Sequence, residues 1–191
     1  MGNSYVSNAG IFLVHTIFGL LLLVFMLRLL MQLVRADFHN PVSQFIVKVT
    51  NPVLRPLRRF IPGLFGIDMA SVLVLIVLQY LELFLTMVLL GAQASPLATL
   101  AVSVVELLDF TLKIFLFSLI IQVILSWVNP QTYNPVVGVL YALNEPLLRP
   151  ARRMLPPISG FDLSPLIVVV FLQLTNFLVV APLFDFAKSL S

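Results

Sequence analysis

Residues 51–62 read NPVLRPLRRFIP and residues 145–156 read EPLLRPARRMLP, with seven of twelve positions identical and no gap between them. The same spacing of 94 residues pairs Asn40-Pro41 with Asn134-Pro135, Asp68 with Asp162, and Gln79 with Gln173. A register held over so many positions marks an internal duplication. It divides the chain into one repeat over 1–93 and a second over 94–191.

Each arginine-rich segment lies between long apolar blocks. The chain is 60% hydrophobic and 10% charged, against roughly 45–50% apolar and about 25% charged for a soluble domain. Four blocks, Gly10–Val34, Met69–Leu90, Leu97–Val128 and Leu163–Phe186, each reach the ~20 residues that a helix needs to cross a bilayer. The first is expected to remain in the protein rather than act as a cleaved signal, because Met1–Ala9 carries no Lys or Arg and the apolar core is too long. An all-α integral membrane fold of four transmembrane helices follows, arranged as two parallel helix–loop–helix repeats.

Charge gives the chain its orientation. Arg35, Lys48, Arg55, Arg58 and Arg59 fall between the first two blocks, and Arg149, Arg152 and Arg153 between the last two, which is eight of eleven basic residues. The N-terminal segment and Gly91–Pro96 have none. The positive-inside rule therefore predicts both arginine loops in the cytoplasm and both termini outside. The absence of cysteine excludes disulfides and thiolate chemistry. With two histidines, no multi-His metal site is expected within one chain.

Asn40 and Asn134, each followed by proline, carry the signature of a helix N-cap and first turn. Val42, Phe45, Ile46 and Val49, and their counterparts Val136, Val139, Leu140 and Leu143, recur at helical spacing. The pattern predicts a short amphipathic helix in each loop, roughly 10–16 residues long and too short to span. The pairs Pro52/Pro56 and Pro146/Pro150 are expected to break these helices, which would lie flat at the cytoplasmic interface.

Arg55, Arg58, Arg59, Arg149, Arg152 and Arg153 are the candidates for binding anionic lipid headgroups or a membrane protein partner. Their forked donors suit phosphate, and each adds on the order of 1 kcal/mol near an anionic leaflet. Enforcing topology is their simpler role. Six arginines with little aromatic interleaving do not suggest nucleic acid. Asp68 and Asp162 precede the second and fourth spans as caps or as ion-pair partners of these arginines.

Ionisable groups at membrane depth are costly and usually face a bundle interior or a water-filled cavity. Here they are Arg28, Glu82, Glu106, Asp109 and Lys113, with His15 nearby. At ~1.5 Å per residue, Glu82 and Lys113 reach similar depth and are placed to meet. Asp109 and Lys113 are four apart on one helix face. The repeat maps His15 onto Asp109, which predicts a His–Asp contact between the halves. It also maps Arg28, Gln32 and Arg35 onto Gln122, Ser126 and Asn129, and Gln79 and Glu82 onto Gln173 and Asn176. Mutual satisfaction inside a bundle or oligomer and a proton or ion path both fit these polar lines. Haem held by His15 would need a second axial histidine from another copy, so no cofactor is expected.

The paired arginine motifs, each preceded by Asn-Pro and followed by Gly, Asp and a span, resemble the YggT family, also called YlmG. The stretch DFHNPVSQFIVKVTNPVLRPLRRFIP is especially similar to the two-repeat proteobacterial members. The resemblance covers nearly the whole chain and implies a multi-pass protein of the cell inner membrane, with the six loop arginines as family-defining residues. Relatives are associated with osmotic tolerance and ion uptake, with division-site or membrane organisation, and in plastids with haem attachment to cytochrome b6.

No spacing matches a nucleophile elbow, a metal-binding pair or a phosphate loop. The sequence therefore points to a non-enzymatic protein that organises or assists membrane components through its paired arginine loops. The alternative is an oligomeric ion or proton transport component. The halves differ where Arg28 faces Gln122, and where His15 and Gly19 face Asp109 and Lys113. Function beyond scaffolding is expected to lie in those differences.

Overall fold

The computed structural model describes residues 2–64, 66–93, 95–128, 134–154 and 162–190. Its elements are helices α1 (Gly2–Leu33), α2 (Pro41–Leu57), α3 (Met69–Leu90), α4 (Pro96–Val128), α5 (Pro135–Met154), α6 (Ser164–Thr175) and α7 (Ala181–Lys188). A five-residue π-helical turn, Asn176–Val180, joins α6 to α7 into one continuous rod. Four segments are long and apolar enough to cross a membrane: Tyr5–Leu33, Met69–Leu90, Pro96–Ser126 and Ser164–Lys188. The first helix thus begins earlier than the apolar block at Gly10, because nothing in the polar segment 2–9 interrupts the backbone ladder.

The surface is what lipid, not water, would solvate. Only 17–22% of the most apolar window of each span is buried inside the protein. The accessible area of 12251 Å² also exceeds the ~9,100 Å² that the size scaling of soluble monomers gives for this mass. Phe12, Phe117, Phe171 and Phe177 all lie on that apolar outer surface. This is a multi-pass membrane protein.

Within the bundle α1 packs along α3, α3 against α4, and α4 against the α6–α7 rod. One core cluster joins Leu22, Phe25, Met26, Leu29 and Leu30 of α1 to Val74 and Leu75 of α3, Leu107 and Ile114 of α4, and Leu143 of α5. The α1 helix ends on Arg35 in the left-handed region (φ 54°), where the Ala36 amide donates to the Met31 carbonyl at 2.9 Å. That closure is a Schellman cap made with an arginine where glycine is usual. It turns the chain directly into α2.

The short helices α2 and α5 begin as their sequences predict. The Asn40 side chain accepts from the Val42 amide and the Asn134 side chain from the Val136 amide, both at 2.9 Å. Asn40 does more: its amide nitrogen donates to the Pro135 carbonyl at 2.7 Å, and α2 touches α5. Both arginine-bearing connections therefore share one end of the bundle.

The expectation that prolines break these helices is wrong. The helices run through Pro52 and Pro56 and through Pro146 and Pro150, for 17 and 20 residues. Each proline pair is four residues apart and exposed, so the carbonyls they leave unpaired fall on one outer strip where solvent or headgroups can take the hydrogen bond. The apolar stripe of α2 also divides. Ile46 is buried with Ser43, Thr50 and Leu54, whereas Phe45, Val49 and Val53 point outward.

Because Asn40 carries both a cap and a bond between the halves, Asn40→Ala is expected to cost about 1–2 kcal/mol, at the upper end of the range for a lost N-cap. Asn134→Ala loses a cap only and should cost less. Thermal midpoints of the two variants in one detergent check the order.

Candidate functional site

Polar groups gather in two places, the α2/α5 end and the middle of the bundle. At the first, Arg58 at the C-terminal end of α2 donates through Nε (3.1 Å) and Nη2 to one oxygen of Asp68, which sits just before α3 and also accepts from the Ser71 hydroxyl at 2.6 Å. In the second half Arg152 donates from Nε to Asp162 at 3.0 Å and from Nη1 to Glu145 at 3.0 Å. The positions are equivalent in the repeat, so each connection is closed by the same arginine–aspartate clamp. Burial pushes the Asp68 carboxyl up, but the bonds from Arg58 and Ser71 outweigh it and hold it below the ordinary carboxylate range. Asp162 is displaced the same way, burial opposed by Ser164 and Arg152.

The clamps use one arginine of each trio. Arg55 and Arg59, like Arg149 and Arg153, are exposed and have no acidic partner among the described residues. The expected ion pairs of Asp68 and Asp162 are thus present. As a cap, Asp162 accepts from the Ser164 amide at 2.9 Å, whereas Asp68 makes no capping hydrogen bond to the backbone.

In the bundle interior each half has its own polar pair between its two spans. His15 Nδ1 lies 2.7 Å from Glu82 Oε1, and the Asn176 amide donates to Asp109 at 2.6 Å. These contacts are the same pair of positions in the two repeats. The expected contact between His15 and Asp109 does not form, because each is taken by the second span of its own half. Lys113 does not meet Glu82; it pairs one turn away with Asp109 at 2.6 Å. Gln79 joins the set by donating to Glu82 at 3.2 Å and across to Glu106 on α4 at 2.6 Å. A cavity of about 370 Å³ bordered by Gly19, Gln79, Glu82, Glu106, Asp109 and Lys113 lies among them.

The π-helical turn starts at Asn176, whereas the equivalent stretch from Glu82 in α3 is regular helix. Pro182 explains it: its ring crowds the Leu178 carbonyl and supplies no N–H, and one extra residue in the turn absorbs the strain.

One residue escaped the sequence reading. Asn144 on α5, fully buried, donates to Gln122 at 2.8 Å and accepts from Ser118 at 2.6 Å, both on α4. Asn144 stands where the first half has Thr50, and a polar residue repeated in the middle of an otherwise apolar line was the available signal. Arg28, one of the expected charges at membrane depth, is only 8% exposed, its Nε and Nη1 have no hydrogen-bond partner among the described residues, and its guanidinium lies 5.1 Å from the Phe38 ring centroid. Of the polar stripe Arg28, Gln32 and Arg35 and its counterpart, Asn129 lies outside the described residues, as do Leu155 and Pro156 of the second arginine motif.

A helical membrane protein with a duplicated, clamped arginine loop is the class these features define. The chain belongs to the CCB3/YggT family, whose profile matches it twice, over residues 7–89 and 101–183. The two matches are displaced by the same 94 residues as the motifs. An uncharacterised protein of Pseudomonas aeruginosa is 44% identical over 91% of this chain and 89% of its own length. The uncharacterised YggT protein of Escherichia coli K12 is 41% identical over 88% of each, and an uncharacterised protein of Vibrio alginolyticus 41% over 90% of this chain and 93% of its own. No solved structure matches.

The clamps give a pH dependence with a definite sign. A carboxylate whose folded value is depressed contributes fully above its unfolded value, ~3.9, and loses that contribution as the pH falls through the folded one. Asp68→Asn should therefore lower the thermal midpoint at pH 7, by about 1.5–3 kcal/mol of stability for a charged hydrogen-bonded pair, with the gap to the wild type closing below about pH 4. Asp162→Asn, in a more exposed clamp, should cost under about 1 kcal/mol.

Proposed function

We propose that this protein is a non-enzymatic component of the inner membrane that organises or assists other membrane components by holding anionic lipid, or a partner, with its paired arginine loops. The observation that carries this reading is the division of labour in each trio. Arg58 and Arg152 close the loop, while Arg55, Arg59, Arg149 and Arg153, on or just past the neighbouring helices α2 and α5, stay exposed without an acidic partner among the described residues. By the positive-inside rule these loops face the cytoplasm and both termini the periplasm. The repeats are then parallel, related by a pseudo-two-fold axis along the membrane normal, with α2 and α5 as amphipathic interfacial helices whose outward Phe45, Val49 and Val136 enter the lipid. A role in osmotic tolerance or in membrane organisation at division accords with a protein that gathers anionic lipid.

At about 1 kcal/mol per basic residue, replacing Arg55, Arg59, Arg149 and Arg153 together by Gln should abolish most of the preference for anionic over zwitterionic lipid. The intact clamps preserve the fold. Lipid co-purification from mixed-lipid nanodiscs measures it, and an unchanged preference would sink the proposal.

A second reading is favoured by the line His15–Glu82–Gln79–Glu106 beside Asp109 and Lys113, which borders a cavity at membrane depth. It makes the protein an oligomeric ion or proton transport component. Reconstituted vesicles should then show flux that Glu82→Gln reduces by about a hundredfold, the lower end of the scale for removing a proton-transfer group. A wild type without flux ends this reading.

A further inference from the structure

We propose that the cleft beneath Arg28 is a binding site for one phosphate group, built in the first half of the protein only. The cleft has a volume of about 790 Å³ and opens beside α2; Arg28, Gln32, Lys48, Asn51, Arg55 and Arg58 line it, and no acidic residue does. Arg58 is already committed to Asp68. Arg28 has no acidic or hydrogen-bonding partner among the described residues. Its Nε and Nη1 are shut away from solvent without an acceptor, and a guanidinium cannot shed its charge to relieve the cost. The Phe38 ring against it supplies a weak electrostatic contact but accepts no conventional hydrogen bond. An anion held in the cleft, which Arg28 lines, would bring a counter-charge to this guanidinium.

The second half shows what the same fold does when no such ligand is needed. There Gln122 replaces Arg28 and is satisfied internally by Asn144, which Ser118 supports in turn. In the first half those two partners are Thr50, whose hydroxyl is spent on the Ile46 carbonyl of its own helix, and Val24, which has no polar group. Two other lining positions follow the same trend, while Arg55 and Arg58 stay arginine: Lys48 becomes Ala142, and Asn51 becomes Glu145, an acid that bonds Arg152. Two cations are lost and a carboxylate is gained. The cationic cleft is therefore a property of this half and not of the repeat.

Phosphate fits better than a single carboxylate. Arg28 of α1 and Lys48 and Arg55 of α2 bring three charges to one cleft that Gln32 and Asn51 also line with neutral amides, which suits several anionic oxygens rather than two in one plane. Arg28 lies five residues from the end of α1, ~7.5 Å at the helical rise. That depth places it near the headgroup layer if α2 lies at the interface. The phosphate of an anionic phospholipid and a soluble phosphate share this chemistry.

The site deepens the lipid reading above, yet Arg28 and Lys48 are not among the four exposed arginines on which that reading stands. The test is binding to the purified full-length protein in detergent by native mass spectrometry. Its arms are short-chain phosphatidic acid, short-chain phosphatidylcholine and inorganic phosphate. The wild type should bind one phosphatidic acid per chain and no phosphatidylcholine; competition by inorganic phosphate at equal affinity would assign the site to soluble phosphate. Arg28→Gln and Lys48→Gln should each weaken binding at least tenfold, and Arg149→Gln less than twofold. Lys48 is exposed, so its variant decides the matter if Arg28→Gln fails to fold. The proposal is overturned if the wild type binds neither phosphate compound, or if folded Lys48→Gln binds as tightly as the wild type. Arg55 belongs to both sets, so the separating variant replaces Arg59, Arg149 and Arg153 by Gln and leaves every residue of the cleft in place: loss of bulk anionic preference with phosphatidic acid binding retained would separate the two readings, as would the reverse.

Discussion

Lipid offers no hydrogen bonds, so a polar side chain on a spanning helix must find its partner inside the protein, and this constraint organises the whole bundle. His15 with Glu82 ties α1 to α3, and Asp109 with Asn176 ties α4 to the last span, at equivalent positions of the duplicated unit. Gln79 then joins the two units by reaching Glu106. Apolar packing alone supplies little direction in a bilayer, where lipid tails are as good a neighbour as leucine. The polar pairs fix which helix lies beside which.

The same rule operates at the end that carries the arginines. Each connection must return the chain to the membrane with the aspartate at the entry to the next span paired, and the arginine–aspartate clamp does this in both halves. The clamp also sorts the arginines into one that holds the loop and two that remain outward. Duplication then allowed the halves to diverge. One kept a neutral, internally satisfied Asn144–Gln122–Ser118 set, and the other holds a buried guanidinium facing a basic cleft. The interior differs as well. Lys113 neutralises Asp109 in the second half, where the equivalent position in the first is Gly19, which borders the cavity without a side chain.

Much of this was legible in the sequence, for identifiable reasons. Span number followed from hydropathy because the apolar blocks are separated by charged or proline-containing segments. The Asn40 and Asn134 caps and the clamps of Asp68 and Asp162 are local, set by residues about ten or fewer apart, and were read correctly. What failed needed depth and rotation together. His15 and Asp109 share a depth but face their own partners, and Lys113 prefers a neighbour one turn away to a carboxylate across the bundle. The prolines misled because four-residue spacing puts both on one exposed strip, where a helix survives them. Arg28 was visible as an intramembrane charge, but the lack of a partner is a three-dimensional fact that no spacing encodes.

The account stands on both arginine loops facing the cytoplasm at one end of the bundle. Phe60 and Met154 are exposed, occupy equivalent positions beside the two clamps, and stand in a chain with no cysteine. The most direct test is labelling of single cysteines, Phe60→Cys, Met154→Cys and Ala92→Cys, by a membrane-impermeant thiol reagent in intact cells and in inverted vesicles. The account predicts that the first two are modified only from the cytoplasmic side and the third only from the outside. Labelling of Phe60→Cys and Met154→Cys from opposite sides, or of either from the outside, would contradict it.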